Sequence, residues 1–411
     1  MSIAVYIKHV AQRVLPNSPR LLASFKFVVS LTLWVFDGFT KLILARTRPD
    51  PSKILVIRLD RIGDFIVWQG QLPALRRLYP APYYKLTLLG NQDWTPLLSL
   101  GEVVDEVISL DASRFVTSWT YRFKCMQELR AQGFHTAIHP TFSRDFLRGD
   151  AVIRLSEAVV NIGWDGDLSN SHKWLKPVAD TWYTQRVSCG DALRMELERN
   201  ADFMLALGAQ AVPTLASLPL ASPGEAISQL TQDYFVIFPG ASDAGRQWPP
   251  ERFAQLAELI HAQTGWQTVV CGSGADSVRA GAVAGPGVQG RAMVNLAGQT
   301  SLLALIDVIR RAKLLVTNDT SAAHIGPAVG TPTVCVLGGG HFGRFFPYQG
   351  LANPVPMRVV HQQWDCFGCH WRCHLPRSAS GAYPCVGSLG LMPVWQAVQE
   401  LLPVQEPKPR G

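Results

Sequence analysis

A chain of 411 residues, 47% hydrophobic and 17% charged, is globular and too long for one ordinary core, so two domains plus an accessory segment are expected. A net charge of +7 and a pI near 9.0 fit an anionic partner (nucleotide, phosphorylated glycolipid or membrane surface), or simply serve solubility. No aromatic-basic motif of the RNA- or DNA-binding kinds is present, which argues against nucleic acid.

Residues 1–50 stand apart. Met1 to Val14 is amphipathic and lacks the apolar core and cleavage site of a signal peptide, so a cytoplasmic, largely reduced chain is expected. Phe25 to Leu44 is the greasiest window, but Lys26, Asp37, Gly38 and Lys41 interrupt it, which makes a poor membrane span. Two readings are open. In one, an amphipathic helix lies peripherally on the inner membrane, with Trp34, Phe36 and Phe39 dipping in while Lys8, Arg13, Arg20, Lys26, Lys41, Arg46 and Arg48 meet anionic lipid. In the other, a helical hairpin packs on the protein's own domain.

Lys53 to Tyr79 is the most informative stretch of the chain. Ile54-Leu55-Val56-Ile57 reads as a buried parallel strand. A polar turn, Arg58 to Asp64, leads into a helix from Phe65 that Pro73 should kink or restart. Strand, turn and helix place the turn at the carboxyl edge of a sheet, where open α/β folds bind ligands. Gly63 permits close backbone approach, Asp64 lies at a helix start, and Arg58 and Arg61 flank it as phosphate-binding cations. The plainer alternative makes Asp64 a cap and the arginines surface charges.

Further strands are expected at Tyr84 to Leu89, Val103 to Leu110, Thr136 to His139 and around Asn161 to Trp164, with a helix over Ser118 to Gln132. His139, Ser143 and Arg144 follow the fourth strand and are candidates for ligand contact. A linker rich in Pro, Ser and Ala covers Pro213 to Pro223. A second α/β pattern comes after it, with strands at Tyr234 to Phe238, Gln267 to Cys271, Leu314 to Thr317 and Thr333 to Leu337. The alternation predicts doubly wound parallel sheets: domains over 51–222 and 223–402, the 1–50 extension before them and a disordered tail, 403–411, behind.

RLDRIGD with its LPALRRL helix resembles the opening signature of glycosyltransferase family 9, the ADP-heptose:lipopolysaccharide heptosyltransferases. FPGAS (Phe238 to Ser242), RQWPPERFAQLA, GSGAD (Gly272 to Asp276), LAGQTSL and TNDTSAAHIGPAVGTPTVCVLG resemble later segments of the same family. The resemblance implies the GT-B architecture, two Rossmann-like domains facing a cleft. It also implies an inverting, metal-independent transfer of a sugar, heptose from ADP-heptose foremost, onto a lipopolysaccharide core or related glycolipid.

Asp64 then inherits the role of catalytic base; Arg58, Arg61, His139 and Arg144 are expected to bind the acceptor from their charge and their place at the sheet edge facing the cleft. Donor binding falls to Gly63, Gly240, Ser242, Arg246, Asp276, Thr300, Asp319, Thr320, Ser321 and His324. Arg246 stands where the family usually has Lys, Asp276 where it has Glu, and Ser321 where it commonly has Gly. Thr300 touches the nucleotide or caps the next helix. A sugar-nucleotide epimerase of the same architecture and a non-catalytic sugar-nucleotide-binding protein are the competing classes.

Eight cysteines are present. Cys366, Cys369, Cys373 and Cys385, interleaved with His370 and His374, have spacing suited to a structural tetrahedral zinc, with free thiols or a disulfide pair as alternatives. No cofactor is expected for catalysis.

Overall fold

The computed structural model describes residues 19–98, 103–188, 190, 193–219, 230–284, 293–351 and 355–403, with side chains from residue 27 onward. Two compact units divide the chain. One is built on Met1–Phe65, Gln71–Ala192 and Arg199–Val212, the other on Ile66–Gly70, Leu193–Glu198 and Pro213–Gly411.

The first unit holds six parallel strands: β1 (Asp50–Arg58), β2 (Lys85–Asn91), β3 (Glu106–Leu110), β4 (Phe134–His139), β5 (Val160–Trp164) and β6 (Gln185–Val187). Their order is β3-β2-β1-β4-β5-β6. The second unit repeats the plan with β7 (Tyr234–Phe238), β8 (Gln267–Val270), β9 (Met293–Asn295), β10 (Leu315–Asn318), β11 (Thr333–Val336) and β12 (Met357–Val360), ordered β12-β11-β10-β7-β8-β9. Each chain path runs outward from the first central strand, then returns to lay three strands on the other side. The reversals fall between β1 and β4 and between β7 and β10, and the crevice at such a switch point is where doubly wound sheets bind ligands. Ile54 to Ile57, Phe235 to Ile237 and Leu315 to Val316 are fully buried, as strands covered on both faces must be.

Local chemistry sets the helix boundaries. The helix after β1 begins at Ile62 rather than Phe65, so Asp64 lies inside its first turn. It runs to Trp68, passes through a 3₁₀ turn at Gln69–Gln71 and restarts as Leu72–Leu78 with Pro73 in the first turn, where a missing N–H costs nothing. Ser118 caps Trp119–Gln132 by accepting from the Tyr121 amide. In the linker, the described part is pinned: Leu218 is buried, and the Leu218 and Pro219 carbonyls accept from Arg310 Nη2 at 2.9 Å.

The N-terminal helix, α1 (Pro19–Ile43), packs on the first unit. Asp37, whose charge interrupts the greasy window, is its anchor: the carboxylate meets Arg122 Nε and Nη2, both at 2.6 Å. Trp34 and Phe36, expected to dip into lipid, instead face protein. Trp34 joins Phe146 and Leu175 in a hydrophobic cluster, and Phe36 lies edge-on to Trp119 at 4.8 Å. Lys41 and Arg46 both pair with Glu157, at 3.2 and 3.0 Å, and keep much of their side chains exposed. Lys8 and Arg13, the side chains of Arg20 and Lys26, and tail residues 404–411 lie outside the described residues.

Candidate active site

The N-terminal switch point joins two loops, and a buried arginine stitches them together. Arg58, the last residue of β1, is 1% exposed. Its Nη1 donates to the Pro140 carbonyl beyond β4 and its Nη2 to the Asp64 carbonyl, both at 3.2 Å, while Nε lies 2.8 Å from Asp60 Oδ2. Thr141 Oγ1 also donates to Asp60 at 2.9 Å. Asn91 and Trp94 side chains donate to the Asp60 carbonyl. Arg58 therefore holds the backbone of Asp64 in place and does not present its guanidinium to an acceptor. Asp64 is half-buried and Arg61 is exposed, which leaves Arg61 as the loop's outward cation. Gly63 has no left-handed φ, so its value is the absence of a side chain beside Asp64.

His139 and Arg144, expected at the acceptor, are buried instead. His139 Nδ1 lies 2.7 Å from the Tyr183 hydroxyl, which donates to Asp150 Oδ1 at 2.6 Å; with that proton committed, Nδ1 is the donor. Arg144 stacks on the Tyr183 ring at 4.4 Å, sits 3.7 Å from Asp150 and pairs with Asp180. Any side chain at Gly149 would collide with the His139 ring. Ser143, also buried, donates to Asp167 at 3.0 Å. These groups brace the end of the sheet behind the Asp64 loop.

The C-terminal switch point is built the same way, with Asn318 in the stitching role. Its Nδ2 donates to the Pro239 carbonyl at 2.7 Å and its Oδ1 accepts from the Trp248 amide at 3.0 Å. Those bonds tie FPGAS, the Arg246 segment and the end of β10 together. Arg246 Nη2 is 2.8 Å from Asp319 Oδ2 and donates to the Asp319 carbonyl at 2.5 Å, and its guanidinium lies 4.9 Å from the centre of the Trp371 ring. The cation is thus oriented in advance, with about 20% of its side chain open. Thr320 caps the helix Ser321–Ala328 and accepts from the Ala322 amide at 3.2 Å. Thr320 and Ser321 stay partly exposed while Asp319 is buried. A helix start, two hydroxyls and a fixed guanidinium have the chemistry that suits an anion.

Of the remaining donor candidates, Ser242 is exposed and Gly240 is buried against the Asp276 carboxylate, which leaves no room for a Cβ. Asp276 Oδ2 accepts from the Ser273 amide and hydroxyl at 2.8 and 2.6 Å, closing a capping box on its own turn. Thr300 is half-buried, and the cap of the following helix is Ser301, which accepts from the Ala304 amide. Trp248 is wholly buried, with Nε1 donating to Leu389.

His324 is buried too, 2.6 Å from the Tyr348 hydroxyl and stacked on Phe346 at 4.4 Å. Burial, reinforced by Arg246, lowers its pKa to about 3; burial, with Arg144 and Arg58, holds His139 well below the ordinary value. Both imidazoles resist protons that the unfolded chain accepts below about pH 6.5. Their stabilising effect is present above that pH and is lost as pH falls toward the folded value. Burial pushes Asp150 the other way, to about 6. Its native carboxyl keeps a proton that the unfolded chain releases above about pH 4, so its contribution is lost as pH rises through 6. Between pH 7.5 and 5, His324 alone should cost about 2 kcal/mol. His324→Phe should shrink the fall in thermal midpoint over that interval and Asp150→Asn should enlarge it, read by circular dichroism.

Cys366, Cys369, Cys373 and Cys385 form no disulfide, and Cys366, Cys369 and Cys373 all lie near enough to Cys385 to help push its thiol up after burial; among the described residues no three His, Cys, Asp or Glu side chains stand at the spacing of a formed metal site. The loop is shaped by its aromatics: Phe367 and Trp371 press on Gly338 to Gly340, and any Cβ at those glycines would collide with them or with Val386. Residues missed from sequence are Trp371, which backs Arg246, and Tyr383, which donates to Asp243 Oδ2 at 2.9 Å. Neither had a local motif.

A match to glycosyltransferase family 9 (heptosyltransferase) spans residues 122–364, more than half of the chain. The chain belongs to glycosyltransferase family 9. Lipopolysaccharide heptosyltransferase 3 of Escherichia coli is 25% identical over 286 residues, covering 67% of this chain and 80% of the relative. Lipopolysaccharide heptosyltransferase 2 of E. coli K12 is 25% identical over 303 residues, 70% of this chain and 82% of the relative. Among solved structures, E. coli ADP-heptose lipopolysaccharide heptosyltransferase II superposes with a TM-score of 0.61 at 22% identity, covering 85% of this chain and 98% of that one. A family 9 protein from Veillonella parvula gives 0.62 at 20% identity, covering 87% and 98%. The fold of this family 9 glycosyltransferase is therefore GT-B, with two Rossmann-like domains, as the sequence motifs imply. The matched stretch holds Arg246 and Asp319 to His324; Asp64 lies before it.

Proposed function

We propose that this glycosyltransferase transfers a sugar, heptose foremost, from a nucleotide-diphospho-sugar, ADP-heptose foremost, to the core of a lipopolysaccharide or a related glycolipid, with inversion and without a metal. The observation that carries the donor half is the C-terminal switch point, where Arg246, fixed by Asp319, stands with the hydroxyls and helix start of Thr320 and Ser321. Together they offer a diphosphate fixed positive charge and hydrogen-bond donors, the stabilisation a metal would otherwise supply. The relatives' names supply the sugar and acceptor classes.

In the reaction, Asp64 takes the proton of the acceptor hydroxyl as its oxygen attacks the anomeric carbon. The bond from that carbon to the diphosphate oxygen breaks on the opposite face, and the nucleoside diphosphate leaves with the electron pair. Arg61, exposed on the same loop, is the cation that meets acceptor phosphate in this reading. A glycolipid acceptor implies work at a membrane surface, as a peripheral protein on the cytoplasmic face.

A thermal-shift panel of ADP, UDP, GDP, CMP and their sugars tests the donor reading. One nucleoside diphosphate should raise the midpoint clearly; no rise with any would overturn the donor site. Arg246→Ala should raise the Kd for that nucleotide about 10- to 100-fold, the loss of one charge-assisted hydrogen-bonding group.

A further inference from the structure

The described side chains of α1 form two opposed stripes. Ser30, Leu33, Asp37 and Thr40 face the domain and are buried, whereas Val28, Leu31, Val35, Phe39 and Leu42 point the other way and are exposed. Both sets step by three and four residues, the repeat of a single helical face. A surface helix normally turns polar residues to water. Here the outward face is apolar, with Val35 59%, Phe39 61% and Leu42 84% exposed.

The flanks continue it. On one side Phe36 meets Trp119, itself 46% exposed; on the other Phe27 meets His172 at 5.4 Å, next in sequence to Lys173, whose ammonium lies over the exposed Trp174 ring. Exposed tryptophan beside cations is the composition of the bilayer interface.

We infer that this stripe docks the N-terminal domain flat onto an anionic lipid bilayer while α1 stays locked to the protein. Three observations select that occupant. No helix among the described residues is long and apolar enough to cross a membrane, so membrane contact through this face runs along the surface. The buried Asp37–Arg122 pair holds α1 in place, and pulling the helix away would strand a charge.

The charge around the stripe is positive. Lys41, Arg46 and Arg130 share the single carboxylate of Glu157, Arg46 and Arg48 are exposed, and the only acid on the described part of α1 is Asp37. A second copy of the chain docked face to face on the stripe would bring these like charges together. Anionic lipid neutralises them.

The inference stands apart from the donor chemistry, and its test separates the two. The full chain is sedimented with phosphatidylglycerol-containing vesicles and with pure phosphatidylcholine vesicles, neither holding glycolipid. Sugar transfer is measured in parallel on a delipidated, water-soluble acceptor. The chain should bind the anionic vesicles well above the neutral ones. The triple variant Leu31→Ser, Val35→Ser, Leu42→Ser should keep its thermal midpoint and soluble-acceptor transfer while binding drops at least about tenfold.

Unchanged binding by the variant, or equal binding to neutral vesicles, overturns the inference. So does a concentration-dependent dimer that the variant dissolves, or vesicle binding that appears only after residues 1–18 are deleted; the first assigns the stripe to a second copy, the second to the preceding segment. Vesicle binding without transfer would instead count against the proposed function alone.

Discussion

Asp64→Asn should reduce sugar transfer by at least about 10³-fold, within the range for loss of a general base, while leaving nucleotide affinity within about twofold. The reasoning is positional. Arg58 bonds the Asp64 carbonyl, a contact that an amide of the same size leaves in place while it removes the proton acceptor. A Kd measured by calorimetry alongside turnover separates chemistry from binding. Turnover within tenfold of the parent would remove Asp64 as base. Arg58→Lys makes the complementary case: a lysine cannot reach the Pro140 and Asp64 carbonyls and Asp60 together, so kcat should fall with the Asp64 carboxylate still present.

Asp37→Ala should destabilise the N-terminal domain by about 3–5 kcal/mol, the cost of stranding a buried partner charge. The Arg122 side chain is fully buried, and its guanidinium also donates to the Phe115 and Leu147 carbonyls at 3.1 and 2.9 Å and stacks on the Phe115 ring. With so many fixed contacts it cannot swing out to water when Asp37 is lost. A loss of that size is a large fraction of the about 5–15 kcal/mol that holds a typical domain. Urea unfolding followed by an N-terminal tryptophan probe should show the midpoint drop. The pair Asp37→Leu with Arg122→Met should recover most of it, since apolar replacements of similar volume leave no charge behind. A single-variant loss under 1 kcal/mol would mean that α1 is not anchored through this pair.

The central strands, the restart at Pro73 and the turns that hold the donor loops were legible in the chain, because each is a local pattern: a buried run, a punctuating proline, a strand running into a polar turn and a helix. The three strands without a prior expectation, β6, β9 and β12, are all sheet edges. Gln185–Val187, Met293–Asn295 and Met357–Val360 are short and partly exposed. An edge needs only one paired side and so carries no continuous apolar run.

Membership in family 9 and the residue types at Asp64, Arg246 and Asp319 to His324 were thus determined by the sequence itself. What each charge does was decided only by tertiary structure. Arg58, His139 and Arg144 looked like contacts for the acceptor and are buried braces, and Asp37 looked like a flaw in a greasy helix and proved to be its anchor. Spacing along a chain reports which face a residue shares with its neighbours. Whether a charge meets water or a partner depends on groups such as Pro140, Tyr183 and Arg122, which lie 82, 44 and 85 positions away from the residues they satisfy.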